Sequence, residues 1–290
     1  MANNDRPLRV NIYVGEGRRS KIVCRSLYQG AHIKCDAKML VTSRYERPDP
    51  DVQVAAFYGL KDRLLDIFED YKAAGKKSVL VDLGYFGRHD GGRLAGYHKF
   101  TVNDHSPLAY FQKRQHGPDR IKKFGIKLKP MRKRGQYILL AGMSGKGAGV
   151  FGYKPEAFEK EMVKRISQVT NMPILYRPKP SWKDARPIEG TFFSPPGQSL
   201  ETDLKRAYAV VTHHSNVAID ALIDGVPIFV IGKSVASPLA RYMPEDIENP
   251  YYPSDEERQQ LLNDIAYTQW SIAEMTNGRA WQHLINEGII

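Results

Sequence analysis

The chain has 290 residues, of which 42% are apolar and 26% are charged, a composition that excludes a wholly disordered, collagen-like or coiled-coil protein. The length suits two domains better than one. Lysine and arginine number 43 against 32 aspartates and glutamates, so the net charge is +11. This excess favours polyanionic partners such as nucleic acid, an acidic membrane surface or phosphorylated small molecules, although a solvated basic surface would also produce it.

Neither a membrane-spanning segment nor a secretory signal is expected. No run of about 18 consecutive apolar residues occurs, and residues 1–7 lack the apolar core of a signal peptide. The cysteines, Cys24 and Cys35, are too few for a disulfide scaffold or a four-thiolate zinc site. A cytoplasmic, reducing compartment is therefore expected.

The first half alternates strands and helices, as α/β domains do. Apolar patterning predicts strands over 8–14, 52–58 and 78–83, and helices over 20–28 and 60–71. The glycine-rich segment 84–96 follows the third strand, at the edge where open α/β sheets bind ligands.

Residues 113–134 form a basic stretch that contains Pro118, Gly125 and Pro130. These residues argue against one long helix. We interpret the stretch as an exposed linker between two domains.

A second α/β pattern follows the basic stretch. It predicts strands over 137–141, 173–176, 209–212 and 228–231, and helices over 155–169, 200–208, 217–224 and 255–278. The glycine-rich segment 142–152 after the first of these strands is expected to be a flexible loop whose backbone approaches an anion, or else a plain surface loop. It is not a Walker A loop, and its weak GxGxxG match disfavours a nicotinamide cofactor.

Other residues at the same predicted edge suit phosphate. Arg177 and Lys179 end the second strand of this half, and two cations there would suit a diphosphate. Ser215 and Asn216 are good N-cap residues, and the free N–H groups of a helix start attract phosphate, although an ordinary capped helix fits equally well. The eight histidines are scattered, so no metal site is expected.

Residues 203–227 combine a strand, a serine-containing turn, a helix with an acidic residue and Gly-Val-Pro. This segment resembles the C-terminal domain of GT-B glycosyltransferases, including capsular polysaccharide and Kdo transferases. The terminal segment, with Trp270 and Trp281, looks like the GT-B helix that returns to the first domain, and is similar to the ends of phage-encoded proteins.

The resemblance implies an α/β, GT-B-like fold: two Rossmann-like domains facing a cleft, with a C-terminal helix crossing back. Residues 1–134 would then bind the acceptor, and 135–252 would bind a nucleotide-sugar, with a UDP-sugar as the expected co-substrate. Residues 253–290 would pack back on the first domain. No tightly bound cofactor or metal is implied, and the oligomeric state is not indicated.

The same resemblance assigns the donor site. It implies that Ser215 and Asn216 face the phosphates and that Asp220, in place of the family's more frequent glutamate, contacts the ribose. Together with the basic and histidine residues at the same edge, the candidates are Ser144, Gly145, Lys146, Arg177, Lys179, Pro196, His213, His214, Ser215, Asn216 and Asp220.

An inverting enzyme of this type also needs a general base in the acceptor domain. Asp90, with His89 beside it, is the first candidate; Asp104 with His105, and Glu16, are held in reserve.

The main hypothesis is transfer of a sugar to a hydroxymethylated pyrimidine in phage DNA, because the charge and the basic stretch favour double-stranded DNA. Such an enzyme would flip the base, with Tyr85, Phe86 or Tyr97 as stacking residues. The candidate DNA contacts are Arg88, Arg93, Lys113, Arg114, Arg120, Lys122 and Lys123. The alternatives are a cell-surface polysaccharide or lipopolysaccharide glycosyltransferase and a non-catalytic nucleic-acid-binding protein.

Overall fold

The computed structural model describes residues 7–92, 94–104, 106–107 and 115–290, without the side chains of Lys146 and Val150. The chain forms two compact units. The first contains the residues up to Arg120 together with Asp264–Ile290, and the second contains Ile121–Asn263. The predicted first boundary lay between residues 134 and 135, and residues 253–290 were predicted to be a separate C-terminal segment.

The first unit is built on a six-stranded sheet. Its strands lie in the order β11–β5–β4–β3–β1–β2 and are β1 (Arg9–Val14), β2 (Asp36–Val41), β3 (Val54–Tyr58), β4 (Lys77–Leu83), β5 (Tyr97–Val102) and β11 (Gln269–Ser271). Strands β2, β1, β3 and β4 are parallel, whereas β5 and β11 are antiparallel to their neighbours. The sequence analysis found β1, β3 and β4 and missed the others.

Two helices cover opposite faces of this sheet: α1 (Arg18–Lys34) and α2 (Arg63–Ala73). Alternate residues of a strand point to opposite faces. Val54 of β3 belongs to the apolar cluster that includes α1, and Phe57 of the same strand belongs to the cluster that includes α2. The sheet is therefore the middle of three layers.

The second unit is built on a five-stranded parallel sheet. Its strands lie in the order β10–β9–β6–β7–β8 and are β6 (Tyr137–Ala141), β7 (Ile174–Arg177), β8 (Phe192–Phe193), β9 (Ala207–Thr212) and β10 (Ile228–Val230). Its helices are α3 (Gly145–Val150), α4 (Ala157–Ser167), α5 (Leu200–Leu204), α6 (Val217–Ile223) and α7 (Asp255–Ala266), which crosses the second boundary. The two parallel-sheet units confirm the predicted α/β class. No helix in the described ranges is long and apolar enough to cross a bilayer.

The C-terminal segment belongs to the first unit. Its helices are α8 (Ile272–Thr276) and α9 (Arg279–Asn286). The predicted continuous helix over 255–278 was wrong, because β11 interrupts it and a capping box between Ser271 and Glu274 starts a new helix. Helix α1 approaches α8 so closely that a Cβ on Gly30 would lie 1.9 Å from the carbonyl oxygen of Met275.

The basic stretch is not an exposed linker along its whole length. The side chains of Lys129 and Arg132 both form ion pairs with Asp224. The backbone N–H of Arg132 donates to the carbonyl oxygen of Gly225, and a Cβ on Gly225 would lie 2.1 Å from the carbonyl oxygen of Pro130. These residues are therefore packed against the end of α6, and the charges of Lys129 and Arg132 are paired with Asp224 of the same unit.

Candidate functional site

Two chain segments leave the second sheet at the same edge. In the pairing of β6 with β9, Ala141 lies opposite Thr212, so both strands end at one level. The hydroxyl of Thr212 donates to the carbonyl oxygen of Ala141 at 3.1 Å, which ties the two ends together. The glycine-rich segment after β6 and the histidine pair after β9 therefore start side by side.

The glycine-rich segment is helical where the sequence analysis predicted a flexible loop. Helix α3 begins at Gly145, and Ser144 caps it: its Oγ accepts a hydrogen bond from the N–H of Gly147 at 3.2 Å. Ser144 was a recognisable N-cap residue. Lys146 lies in the first turn of α3, and its side chain lies outside the described part.

His213 and His214 form a hydrogen-bonded pair that contacts this helix. Their Nδ1 atoms are 2.9 Å apart, so one ring donates and the other accepts. Burial lowers the pKa of His213, which keeps its ring neutral at pH 7. A Cβ on Gly147 would lie 3.9 Å from Cε1 of His214, and the ring of Phe151 packs on both imidazoles. The structure thus brings together two sets of residues that the sequence analysis named separately.

The turn into α6 is organised by serine rather than by asparagine. Ser215 Oγ accepts a hydrogen bond from the N–H of Val217 at 3.3 Å. Asn216 is the N-cap residue by position, but its backbone is helical and its side chain makes no capping bond. Asp220 lies exposed in the first turn of α6.

Arg177 has a structural partner that the sequence analysis missed. Its guanidinium forms an ion pair with Asp203, which is completely buried, and also donates to the carbonyl oxygen of Gln198 at 3.0 Å. Lys179 and Pro196 lie exposed in loops beyond β7 and β8. Trp182, which was not a candidate, lies close to the start of α3: a Cβ on Gly145 would be 3.8 Å from its Nε1.

Glu159 forms a hydrogen bond to the backbone at the start of the glycine-rich segment. Its carboxylate accepts a hydrogen bond from the N–H of Met143 at 2.6 Å. The residue is 1% exposed, and burial raises the pKa of its carboxyl group. A Cβ on Gly142 would lie 2.8 Å from its Oε1, so a glycine is required at this approach. The strand end and the start of α3 are therefore held in a defined path.

In the first unit, the predicted bases lie in a segment held by the C-terminal strand. His89 and Asp90 are exposed in turns after β4, and Glu16 is exposed after β1. The side-chain carbonyl of Gln269 accepts the N–H groups of Tyr85 at 2.7 Å and Phe86 at 3.0 Å. This anchoring from β11 has no local sequence signal.

The residues proposed to stack on a flipped base are largely buried in the first unit. Tyr85 and Phe86 are each 8% exposed, so their rings pack inside the unit rather than facing solvent. Tyr97 is partly buried in β5. Asp104 is partly buried, and His105 lies outside the described residues.

His98 is a titratable group in the first unit that the sequence analysis missed. It is the second residue of β5 and lies opposite Leu83, at the carboxyl edge of β4. Its Nδ1 donates to the carbonyl oxygen of Gly96 at 2.9 Å, because a carbonyl only accepts. Burial lowers the pKa of His98 to about 4, so the ring is neutral at pH 7.

The candidate DNA contacts do not form one exposed surface. Arg120 is 7% exposed, and its guanidinium donates to both carboxylate oxygens of Glu274, at 2.9 and 3.1 Å; its assignment to an exposed linker was wrong. The Nε of Arg88 donates to the carbonyl oxygen of Gly84 at 2.6 Å. Lys122 and Lys123 are exposed. Three candidates lie outside the described residues: Arg93, Lys113 and Arg114.

Within the described ranges, no group of three or more histidine, cysteine, aspartate or glutamate side chains is placed to hold a metal ion.

Comparison with known proteins gives a structural likeness only. No family model matches the sequence, and no curated protein matches it. The structure is similar to KpsC β Kdo 2,4 transferase of Thermosulfurimonas dismutans, with a TM-score of 0.54 and 11% identity over 92% of this chain and 97% of that chain. It is also similar to KpsC β Kdo 2,7 transferase of the same organism, with a TM-score of 0.52 and 14% identity over 94% and 99%. The chain therefore has a GT-B-like fold.

Proposed function

We propose that this protein is a glycosyltransferase that moves a sugar from a nucleotide-sugar onto a carbohydrate acceptor of a cell-surface polysaccharide or lipopolysaccharide. The observation that carries the proposal is that the start of α3 and the histidine pair lie side by side at the carboxyl edge of the second sheet, where a Cβ added to Gly147 would lie 3.9 Å from Cε1 of His214. In open α/β sheets this edge is where ligands bind.

The chemistry of this edge suits a departing nucleoside phosphate. Transfer of the sugar breaks its bond to the phosphate oxygen, and negative charge develops on the leaving group. Backbone N–H groups in the first turn of a helix have no intrahelical partner and can stabilise that charge. His214 lies near the first turn of α3 and adds a polar side chain, and Ser215 follows it in the chain. The acceptor's proton would go to a carboxylate of the first unit, for which Asp90 stays the candidate.

A carbohydrate acceptor is preferred to a DNA base for two reasons. Two solved structures that share the fold at TM-scores above 0.5 are named as Kdo transferases. In the basic stretch that favoured DNA, Arg120 is buried in an ion pair with Glu274, and Lys129 and Arg132 are paired with Asp224. The remaining charge excess is therefore a weaker argument for DNA.

The first test measures donor binding by calorimetry with CMP, UDP, GDP and dTDP. We expect one nucleotide to bind, and His214→Ala to weaken that binding about tenfold through loss of one polar contact to a charged group. His32→Ala, an exposed histidine of the first unit, is the matched control and should bind as the wild type does. Binding of none of the nucleotides would contradict the proposal.

The second test identifies the acceptor by mass spectrometry. The protein is incubated with pooled sugar nucleotides of the base that binds, and with capsular or lipopolysaccharide oligosaccharides or duplex DNA containing 5-hydroxymethylcytosine. A mass gain on an oligosaccharide is expected. A gain on the DNA alone would replace the carbohydrate acceptor with the DNA base.

The variant Gly232→Ala tests whether the position of the histidine pair matters, because it replaces neither histidine. A Cβ on Gly232 would lie 2.4 Å from Cε1 of His213, so Gly232→Ala should displace that ring and break its bond to His214. We expect a loss of stability of about 1–3 kcal/mol and a nucleotide affinity lowered to the level of His214→Ala. Gly117→Ala, whose Cβ would meet only ordinary contacts, is the control. Unchanged nucleotide binding in Gly232→Ala would remove the histidine pair from the donor site.

A further inference from the structure

Helix α1 presents a face of unpaired positive charge. The segment Arg18–Lys34 contains five arginines and lysines and no acidic residue. Arg18, Lys21 and Arg25 are all exposed, and their spacing of three and four residues puts them on one face. Within the described ranges, none of these three side chains takes part in an ion pair.

Two other helices of the protein, α2 and α4, pair arginines with acidic residues of the same helix. Arg63 of α2 pairs with Asp66 at 3.3 Å, and Arg165 of α4 pairs with Glu161 on its own helix at 3.3 Å. In the basic stretch, Arg120 and Arg132 are paired internally. Helix α1 thus carries exposed cations without acidic residues of its own, whereas part of the basic stretch is neutralised by ion pairs.

The first turn of α1 opposes the helix dipole. It carries Arg18, Arg19 and Lys21 with no acidic residue, and the N-cap Gly17 makes no side-chain capping bond. Cations at a helix N-terminus are unfavourable, because the dipole is positive there. This arrangement breaks a local rule without a compensating contact for Arg18 or Lys21, as is expected where an anionic partner binds.

Exposed aliphatic side chains lie on α1 itself and on strand β2 of the same sheet. Ile33 at the end of α1 is 57% exposed, and Met39 and Val41 of β2 are 48% and 47% exposed. Met39 and Val41 share a face of β2 with Ala37, which belongs to the apolar cluster that α1 covers. Nucleic-acid backbones offer little to aliphatic side chains, whereas the headgroup region of a bilayer accommodates cationic and apolar groups together.

We propose that the α1 surface, formed by Arg18, Lys21, Arg25, Ile33, Met39 and Val41, docks the protein on an anionic phospholipid bilayer. The cations contact lipid phosphates, and the aliphatic side chains enter the headgroup region. The proposal goes beyond the proposed function and does not require it, because its readout is vesicle binding rather than sugar transfer.

The test is sedimentation with vesicles of phosphatidylcholine alone or mixed with phosphatidylglycerol. We expect binding to the mixed vesicles only, weakening as salt screens the charges. Each cation near an anionic surface contributes about fivefold, so Arg18→Gln/Lys21→Gln/Arg25→Gln should weaken binding roughly a hundredfold. Met39→Ser should weaken vesicle binding severalfold through loss of an apolar contact.

A matched variant separates the place of the charges from their number. Lys127→Gln/Lys133→Gln/Lys205→Gln removes three exposed cations of the second unit and should bind vesicles as the wild type does. Equal loss in both triple variants, or no binding of the wild type to mixed vesicles, would overturn the proposal. Tighter binding to duplex DNA than to vesicles, lost in the α1 triple variant, would also overturn it and make the surface a nucleic-acid site.

Discussion

Replacing Trp281 with alanine is expected to lower the free energy of unfolding by about 3–5 kcal/mol, as large-to-small changes of buried aromatic residues do. Trp281 is 0% exposed and lies in the apolar cluster shared by α1 and the C-terminal segment. Its indole Nε1 also donates to the carbonyl oxygen of Leu27 at 2.9 Å. The substitution therefore removes a large apolar group and leaves a buried carbonyl without its partner.

The measurement is urea unfolding followed by circular dichroism. Gln282→Ala changes the next residue of α9, which is partly buried, and should cost no more than about 0.5 kcal/mol. If Trp281→Ala unfolds at the wild-type urea concentration, the C-terminal segment is not part of the first unit's cooperative core.

The sequence predicted the buried strands well and the edge strands poorly. Strands β6 and β9 are runs of apolar residues flanked by turn residues, which is the strongest local signal for a parallel strand. Strand β2 contains Asp36 and Lys38 and is exposed along most of its length, because it lies at the edge of its sheet. Its composition resembles a surface loop, so pattern reasoning passes over it.

Strand β11 was missed for a different reason. Ile272 and Ala273 fit the helical repeat of the preceding segment, which predicted one continuous helix. Residues Gln269–Ser271 become a strand because β5 offers an unpaired edge, with Ser271 opposite Tyr97. That partner is distant in sequence, and no local propensity signals it.

The donor-site candidates show the same limit of local reasoning. Ser215 lies at a helix start that the sequence predicted, and its Oγ accepts the N–H of Val217. Ser144 caps α3 through the N–H of Gly147, in a segment that the sequence analysis predicted as a loop. The ion pair between Arg177 and Asp203 joins residues that are 26 positions apart in the sequence. Sequence reasoning named Arg177 for its charge and had no means to find the partner that takes up that charge.

Asp203→Leu is expected to destabilise the second unit by about 3–5 kcal/mol, because it leaves a charged partner unpaired in a mostly buried place. The Asp203 carboxylate is 0% exposed and accepts hydrogen bonds from Arg177, from Gln198 and from Ser194 Oγ at 2.7 Å. It therefore joins the end of β7 to the loop after β8 and to α5. Urea unfolding of the full chain measures the loss, and an unchanged midpoint would contradict it.

The double variant Arg177→Met/Asp203→Leu decides what Arg177 does. Removing both charges together should restore much of the stability lost in either single variant, with a coupling of roughly 1–3 kcal/mol in the mutant cycle. If Arg177 serves only to hold Asp203, the refolded double variant binds its nucleotide as tightly as the wild type. If Arg177 also contacts the phosphates, the double variant is folded yet binds at least tenfold more weakly. We expect the first result, because the guanidinium is already bonded to Asp203 and to the carbonyl oxygen of Gln198, whereas the N–H groups of Gly145 and Lys146 in the first turn of α3 have no intrahelical partner.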